Sequence, residues 1–398
     1  AGFMASRSNI DQLFTLRQLS EKYTDFSRDL FVCYIDFRKA FDSIWRKGLW
    51  RVMRNMGYPE KIVRLLEGLY SGTFSAVRIG ADLTEWFETI VGVLQGCMLS
   101  PLLFNIFLEI IMARALTDVD AGAVINGHVI SNLRFADDIA ALAEKEKELQ
   151  QVVDNIVAES KKMGMMVNIE KTEVQHIGAQ TKEIHIKIDS KDLKQVDDFI
   201  YLGGTISDDA STDKDVQRRT GLECGVMQSL APIWKSKAIS TQTKVKVYET
   251  LVLSVLLYNS ETWALKESTK KKLRVFEMSC LRKIKGVTRR NRVRNTEIRR
   301  ELKVETDVVQ IIQRRSRYFG HITRMSGERL PAIAFSGNVH GSRKRGRPKK
   351  RWEDNLKADL DEMGHTMVEA IRLASSDRDV WRKSVLGLSE RGSPSPRH

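Results

Sequence analysis

The sequence predicts an α+β fold followed by a basic carboxyl-terminal region. Short apolar runs typical of strands alternate with amphipathic helical patterns up to about residue 206, the stretch 211–286 is mainly helical, and cations become dense from Arg282 onward. A chain of 398 residues with 42% hydrophobic and 29% charged residues has the composition of a globular protein with more than one structural unit. Its formal charge of +14 favours a polyanionic partner such as nucleic acid, although a merely soluble basic protein is the alternative.

Cysteine spacing and hydropathy argue against several classes of protein. The 4 cysteines are far apart and form no CxxC pair, so neither a zinc knuckle nor a disulfide framework is predicted, and a reducing compartment is favoured. The apolar stretches 99–116 and 251–258 are too short for a membrane span or are broken by polar residues. No secretory signal is visible at the start of the sequence.

The first elements are a helix, a strand and two more helices. Leucines recur at helical spacing over 13–19, and the apolar run 30–35 predicts a buried strand that ends at Asp36. Apolar residues then line one helical face over 41–56. A Gly-x-Pro step at 57–59 ends that helix and starts the next.

Hairpins, helices and further strands follow. Strand patterns at 74–79 and 86–91 form a predicted pair, Ser100-Pro101 opens an apolar helix to about Leu116, and a charged amphipathic helix covers 144–163. Strand-like segments follow at 174–177, 184–188 and 199–202. The candidate core residues of the later helical stretch are Trp234, Tyr248, Leu251, Val255, Tyr258 and Trp263.

Three aspartates are candidates for metal binding. Asp137 and Asp138 lie between the apolar runs 133–136 and 139–142, which predicts a hairpin with the acidic pair at its tip. If Asp36 converges with them, the carboxylates offer the hard oxygen ligands that Mg²⁺ prefers, and two such ions ~3.5–4 Å apart support phosphoryl transfer. Crowded carboxylates repel one another, so raised pKa values or a looser geometry are expected without cations. For the Asp-Asp pair alone, a solvated turn is the alternative.

Five segments in order resemble the motifs of reverse transcriptases of non-LTR retrotransposons. They are YIDFRKAFDSI, VLQGCMLSPLLFNIFLE, RFADDIAAL, GMMVNIEKTEVQHIG and FIYLGGTI. The resemblance implies a right-hand polymerase palm, a small antiparallel sheet backed by helices, with a helical thumb and a basic region after it. The implied regions are a remnant of the fingers at 1–29, the palm at 30–206, a helical thumb-like region at 207–286 and a basic nucleic-acid-binding region at 287–398.

The resemblance also implies roles for individual residues. Asp36, Asp137 and Asp138 would be the catalytic triad and would hold two Mg²⁺ ions together with the backbone carbonyl of Phe37, with Mn²⁺ able to substitute. The implied nucleotide-binding residues are Arg7, Phe41, Gln95, Gly96 and Lys171, and the implied primer grip is Tyr201, Leu202 and Gly203.

Two of these residues carry a specific chemical expectation. Phe41 would place a ring beneath the incoming sugar and exclude a 2′-hydroxyl, so deoxynucleotides are the expected substrate; a core phenylalanine is the alternative. Lys171 would donate a proton to the departing pyrophosphate, with an ordinary surface lysine as the alternative.

Upstream of the palm the family pattern is incomplete. The family carries fingers there, and this chain begins near their end, with Met4 where an arginine is often found. We therefore expect an N-terminally truncated reverse transcriptase. Nothing before the palm resembles an endonuclease, so DNA nicking by this chain is not predicted.

The basic end is suited to phosphate contacts, with a solvated charged face as the alternative. The predicted nucleic-acid contacts are Arg289, Arg290, Arg292, Arg294, Arg345, Arg347 and Lys349, and further arginines of this stretch are Arg299, Arg300, Arg314, Arg315 and Arg317. The segment SRKRGRPKKR resembles an AT-hook centred on 346–348, a nuclear import signal, or a segment common in the tails of some non-LTR elements.

The resemblance implies RNA-directed DNA polymerisation, which is nucleotidyl transfer from deoxynucleoside triphosphates to a DNA primer on an RNA template. The expected location is the nucleus, with a cytoplasmic ribonucleoprotein stage and no membrane partner. The alternative is a catalytically inactive or co-opted fragment that binds nucleic acid through its basic tail.

Overall fold

A computed structural model describes residues 2–178, 180, 182–341, 343 and 349–387. The chain divides into two compact units, which we call the first unit (1–12 and 27–197) and the second unit (13–26 and 198–398). The predicted α+β class is confirmed, whereas the region boundaries at 30, 207 and 287 stay predictions. Among the helices of the described residues, none has the length and apolar character needed to cross a membrane.

Helices and short strands follow one another along the first unit, whose first helix continues into residues 13–25 of the second unit. Their bounds are α1 (Asn9–Asp25), β1 (Leu30–Ile35), α2 (Arg46–Asn55), α3 (Glu60–Tyr70), β2 (Phe74–Ser75), β3 (Arg78–Ile79), β4 (Asp82–Leu83), β5 (Phe87–Glu88), α4 (Ser100–Leu116), β6 (Ala123–Ile125), β7 (His128–Ile130), β8 (Asn132–Phe135), β9 (Asp138–Ala143), α5 (Glu146–Lys162), β10 (Glu173–Ile177), β11 (Lys187–Ile188), β12 (Lys191–Asp192) and β13 (Lys194–Gln195). A short 3₁₀ turn, Ala40–Ser43, lies before α2.

A five-stranded sheet with the order β13-β10-β1-β9-β8 organises the first unit. The pairs are antiparallel except for β10 with β13. All six residues of β1 are buried, because this strand has a neighbour on each edge and is packed on both faces, which explains its continuous apolar sequence. Helix α5 packs against β1 and β9, and α4 packs against α5. The helices thus back the sheet.

Predicted and observed elements of the first unit agree best where the local signal was strong. β1 and α4 have the predicted bounds. The hairpin predicted over 74–91 is present as two short pairs, β2 with β5 and β3 with β4. The strand predicted at 184–188 is reduced to β11, because only Lys187 and Ile188 pair with β12.

The second unit is a hairpin followed by helices. Their bounds are β14 (Asp198–Tyr201), β15 (Gly204–Ser207), α6 (Asp213–Ser229), α7 (Ala231–Lys235), α8 (Thr241–Val247), α9 (Leu253–Leu256), α10 (Glu267–Lys285), α11 (Asn295–Leu302), α12 (Asp307–Thr323), α13 (Leu330–Ser336), α14 (Trp352–Met363), α15 (Met367–Ser376) and α16 (Arg378–Leu386). A π-helical turn, Tyr248–Val252, joins α8 to α9. The mainly helical character predicted for 211–286 is confirmed.

Two of the predicted core residues of this unit are exposed. Leu251 is 51% exposed and Tyr258 is 43% exposed, whereas Trp234, Tyr248 and Trp263 are buried as expected. The π-helical turn adds a residue to the helical repeat, which changes the face that each later side chain occupies. A regular 3.6-residue pattern therefore assigns Leu251 to the wrong face.

A buried ion pair ties several elements of the second unit together. Asp215, in the first turn of α6, accepts hydrogen bonds from the Arg17 guanidinium at 2.6 Å, the Trp263 indole at 2.7 Å and the Thr205 N–H at 2.9 Å. Arg17 also donates to the hydroxyl of Thr262 at 2.6 Å. The carboxylate is fully buried, so these donors replace the water that it loses on folding.

Candidate active site

Asp36 lies at the carboxyl end of β1, where the segment 166–172 holds its backbone. The Asp36 carbonyl accepts from the N–H of Asn168 at 2.8 Å, and the N–H of Arg38 donates to a carbonyl of the same segment at 2.8 Å. Phe37, between them, forms an isolated antiparallel bridge with that segment. The bridge uses the carbonyl of Asp36 and the N–H of Arg38.

Asp137 and Asp138 lie at the tip of the β8–β9 hairpin. Phe135 pairs with Asp138, so the loop consists of two residues, of which the first, Ala136, has φ +54°. A left-handed conformation costs a residue other than glycine roughly 1–2 kcal/mol, so the tip is locally strained. The register pairs the residue before Asp36 with the residue after Asp138, which brings all three aspartates to one end of the sheet.

Two of the three aspartates at this end of the sheet have raised pKa values. Burial raises the pKa of Asp137, and Asp36 adds repulsion. Burial also raises the pKa of Asp138 to about 6, with further contributions from Asp137 and then Asp36. No Lys, Arg or His among the described residues offsets these shifts. Uncompensated carboxylate oxygens are the donor set that suits a divalent cation.

The three side chains do not form a closed metal site. Within the described ranges of the chain, no three Asp, Glu, His or Cys side chains converge closely enough to hold one ion. Mutual repulsion favours such separated rotamers. The charge, the oxygen donors and the shared edge fit a divalent cation, and its binding requires the carboxylates to rotate toward one another.

Phe41 is held rigidly beside the acidic end of the sheet's first strand. Its half-buried ring stacks on Phe104 of α4, with 4.5 Å between centroids and 19° between planes, and its carbonyl accepts from the N–H of Val93 at 2.9 Å. Nearby, the Gln95 amide donates to the exposed carboxylate of Asp42 at 3.2 Å. Phe41 is thus part of the core packing, and its stacking on Phe104 and its backbone hydrogen bond with Val93 hold it in place.

Gly96 and Lys171 occupy open positions of the first unit. Gly96 has φ +82°, and a Cβ there would meet nothing within 4 Å, so this glycine is needed for its backbone conformation rather than for close packing. Lys171 is exposed on the turn that follows Asn168, and its N–H donates to the Asn168 carbonyl at 3.2 Å. Lys171 therefore belongs to the segment 166–172, which also holds the backbone of Asp36.

The amino-terminal segment contacts the acidic hairpin. A Cβ on Gly2 would lie 2.6 Å from the backbone nitrogen of Ala136, and the carbonyl of Gly2 accepts from the Asn105 amide at 2.7 Å. Arg7, further along this segment, is exposed. Nothing in the sequence indicates this contact of Gly2, because a single glycine carries no signal for a distant partner.

Arg46, in the first turn of α2, is a second residue whose structural role has no signal in the sequence. Its buried guanidinium donates to the carbonyls of Gly92 at 2.8 Å, Tyr70 at 3.0 Å and Thr89 at 2.6 Å, and to the hydroxyl of Thr73 at 2.7 Å. It therefore fixes the chain that leads into the second motif. An arginine at the start of an amphipathic helix looks in sequence like a solvated charge, so its partners could not be predicted.

The candidate primer-grip residues Tyr201, Leu202 and Gly203 belong to the second unit. Leu202 and Gly203 form the β14–β15 loop with φ values of 48° and 76°. The Asn259 amide donates to the Leu202 carbonyl at 3.2 Å, and Arg219, whose guanidinium lies 4.4 Å from the Tyr258 ring centroid, donates to the Gly203 carbonyl. These donors hold the turn in a defined shape.

The basic residues after α10 have different environments. The predicted contacts Arg289, Arg290, Arg292 and Arg294 are exposed, Lys349 is exposed and donates to the Asp209 carbonyl at 2.9 Å, and Arg345, Arg347 and the AT-hook-like core 346–348 lie outside the described residues. Arg315 is fully buried, 3.3 Å from Asp359, so the suggestion that it contacts phosphate is wrong. Arg299 pairs with Glu277 at 2.5 Å.

Sequence comparison identifies similar proteins. Residues 2–206 match the family model of the reverse transcriptase (RNA-dependent DNA polymerase), and residues 227–258 match a domain of unknown function. A putative uncharacterized transposon-derived protein of Caenorhabditis elegans is 24% identical over 268 residues, which is 65% of this chain and 95% of that protein. The Pol polyprotein of a type-2 retrotransposable element of Drosophila melanogaster is 26% identical over 44% of this chain and 17% of its own length.

A polymerase and a solved structure are also similar. The RNA-directed DNA polymerase from mobile element jockey of Drosophila funebris is 26% identical over 67% of this chain and 29% of its own length. The chain therefore spans less than a third of these two larger relatives. A structure of telomerase from Candida albicans is 13% identical over 70% of this chain and 51% of that chain, with a TM-score of 0.40.

Proposed function

Because this chain belongs to the reverse transcriptase family, and its relatives include RNA-directed DNA polymerases of non-LTR retrotransposons, we propose that it extends a DNA primer on an RNA template. The family uses divalent metal ions. The observation that carries the proposal is the end of the sheet that holds Asp36, Asp137 and Asp138, where no cation among the described residues offsets the raised pKa values, inside the part of the chain that matches the family.

The metal-binding residues would be Asp36, Asp137 and Asp138, together with the backbone carbonyl of Phe37. Two Mg²⁺ ions, for which Mn²⁺ could substitute, would make the primer 3′-hydroxyl a better nucleophile and would stabilise the leaving pyrophosphate oxygen. Strand β1 and the β8–β9 hairpin are anchored in the sheet, so the carboxylates need to change only their side-chain rotamers to bind the ions.

The nucleotide-binding residues would orient the incoming triphosphate. The Phe41 ring, stacked on Phe104, would exclude a 2′-hydroxyl because it cannot move away without disturbing the core. Lys171 would protonate the departing pyrophosphate. Arg7, Gln95 and Gly96 would contact the triphosphate and the template.

The partners would be an RNA template, a DNA primer or target, and deoxynucleoside triphosphates. The exposed arginines at 289–294 would add sequence-independent phosphate contacts, and the grip residues 201–203 would contact the primer. The location would be the nucleus, with a cytoplasmic ribonucleoprotein stage.

Incorporation of labelled dTTP on poly(rA)/oligo(dT) tests the proposal. Activity that depends on Mg²⁺ should be lost in the Asp137→Asn, Asp138→Asn double variant. The matched control is Asp118→Asn, Asp120→Asn, which removes the same charge from an exposed turn of the first unit and should retain activity. Equal activity in all three chains would refute the role of the carboxylates.

A second candidate function is nucleic-acid binding without polymerisation. The exposed arginines at 289–294 favour it, because they suit phosphate contacts that do not depend on the three aspartates. This function would be supported if the folded parent chain bound a primer-template duplex but incorporated no more dTTP than the double variant.

A further inference from the structure

Helices α12 and α16 of the second unit border a half-open cavity of about 800 Å³ that is lined mainly by arginines. Arg317 comes from α12, Arg324 follows its last residue, and Arg378 and Arg382 come from α16. Arg317 and Arg324 are seven positions apart, and Arg378 and Arg382 are four positions apart, so each pair projects on one side of its helix. We call this feature the arginine cavity.

The arginine cavity carries an excess of positive charge, since four arginines line it and the described lining includes one carboxylate, Asp379. In the described ranges, none of Arg317, Arg324, Arg378 and Arg382 forms an ion pair, although Asp379 also lines the cavity. Arg324 uses one N–H to donate to the carbonyl of Ala374 at 2.7 Å, and its remaining donors stay available. The cavity therefore concentrates positive charge.

The cationic groups also repel one another. Burial lowers the pKa of the Arg317 guanidinium, and Arg382 on the facing helix adds to the effect. Burial likewise lowers the pKa of Arg324, with Arg378 adding to it. Like charges four residues apart, as in Arg378 and Arg382, destabilise a helix. This repulsion lowers the stability of the protein without ligand, and a bound anion would offset it.

The shape of the arginine cavity indicates which anion fits. Guanidinium groups match phosphate oxygens in paired hydrogen bonds, and the volume greatly exceeds that of a single phosphate ion. At the floor, Trp381 is only 2% exposed, and its indole N–H already donates to the Ser316 carbonyl at 3.0 Å. It is therefore not available to stack on a base.

We propose that the arginine cavity binds the phosphodiester backbone of a nucleic-acid strand without reading its sequence. The site belongs to the second unit and uses none of the three aspartates of the proposed polymerase. It was not visible in the sequence, where Arg324, Arg378 and Arg382 stand outside the dense basic runs.

The test measures binding of the full chain to fluorescein-labelled single-stranded DNA by anisotropy at several KCl concentrations. The cavity variant is Arg378→Gln, Arg382→Gln. The control is Arg372→Gln, Lys383→Gln, which removes the same charge from exposed positions of α15 and α16 that do not line the cavity. We expect the cavity variant to bind roughly tenfold more weakly at about 0.1 M salt. The slope of its affinity against salt concentration should also be smaller by roughly one to two, because a complex with fewer phosphate contacts releases fewer counterions when it forms.

Additional arms separate the possible outcomes. Oligo(dT) and mixed-sequence DNA should compete equally. Thermal unfolding without ligand should show the cavity variant to be at least as stable as the parent, because a repulsive pair has been removed. Equal weakening in both variants would reduce the effect to net charge and overturn the proposal, as would unchanged binding in the cavity variant. If inorganic phosphate bound the parent chain but not the cavity variant, while both bound the strand equally well, the cavity would be a site for a free anion and the proposal would also be overturned.

The result is independent of the polymerase proposal. The Asp137→Asn, Asp138→Asn variant retains the arginine cavity and should bind the strand as the parent does. If the parent chain itself incorporated no dTTP while its strand binding still depended on the arginine cavity, the polymerase proposal would be contradicted and the cavity proposal would remain supported.

Discussion

Replacement of Asp215 by alanine should destabilise the protein strongly. The carboxylate is fully buried and accepts three hydrogen bonds, one of them from the guanidinium of Arg17, which is only 8% exposed. Without Asp215 that charge would remain buried with neutral partners only, the Thr262 hydroxyl and the Thr205 carbonyl. Removing one partner of a buried ion pair costs about 3–5 kcal/mol. Since the neutral partners remain, we expect about 3 kcal/mol.

Urea unfolding followed by circular dichroism measures this loss. The matched control is Lys214→Ala on the same helix, since Lys214 forms a half-exposed ion pair with Asp198 at 2.6 Å and should contribute at most about 1 kcal/mol. The Arg17→Met, Asp215→Ala double variant should be less destabilised than Asp215→Ala alone, because it leaves no buried charge unpaired. The reasoning fails if Asp215→Ala costs no more than Lys214→Ala, or if the double variant is the less stable of the two.

The same pair predicts the direction of a pH effect. Burial by itself would raise the pKa of Asp215, but Arg17, the Thr205 N–H and the Trp263 indole outweigh it and hold the pKa below its usual value. A carboxylate with a lowered pKa stabilises the folded state above its unfolded pKa, about 3.9, and this contribution disappears as the pH falls through the folded pKa. The stability difference between the parent and Asp215→Ala should therefore be full at pH 7 and should shrink below about pH 4.

Two further predictions concern the proposed nucleotide site. Phe41→Ala should lower the preference for dTTP over UTP by at least roughly tenfold in competition assays on poly(rA)/oligo(dT), because the ring that would exclude the 2′-hydroxyl is gone; an unchanged preference would leave Phe41 a purely structural residue. Arg46→Lys should raise the KM for dTTP more than it lowers kcat, because lysine cannot reach the carbonyls of Tyr70, Thr89 and Gly92 together, and each unsatisfied buried carbonyl costs about 1–3 kcal/mol. Lys47→Ala, at the exposed neighbouring position, is its control, and equal kinetics in the two variants would contradict a positioning role for Arg46.

Local sequence signals predicted the elements on which the candidate site is built. The continuous apolar run before Asp36 predicted β1, and Ser100-Pro101 predicted the start of α4, because both signals act within a few residues of the chain. The same is true of the tight β8–β9 turn that presents Asp137 and Asp138. The motif order then identified the family, which residues 2–206 match.

Long-range partners could not be predicted in this way. The Arg17–Asp215 pair joins residues 198 positions apart, and Arg46 in α2 finds its acceptors in backbone carbonyls that have no side-chain signature. Arg315 lies in the same basic run as exposed arginines but is buried. A charged residue in a sequence shows only that it needs water or a partner, and only packing decides which of the two it finds.

The sequence by itself determined the α+β fold, the aspartates at the ends of strands and the family relationship to reverse transcriptases. It could do so because periodicity, turn residues and motif order are local properties. Only the tertiary structure decided which charges are paired, which are buried and which face one another across the arginine cavity, because these depend on contacts between elements far apart along the chain. Contacts of that kind follow from the packing of whole helices and strands, and no short segment specifies them.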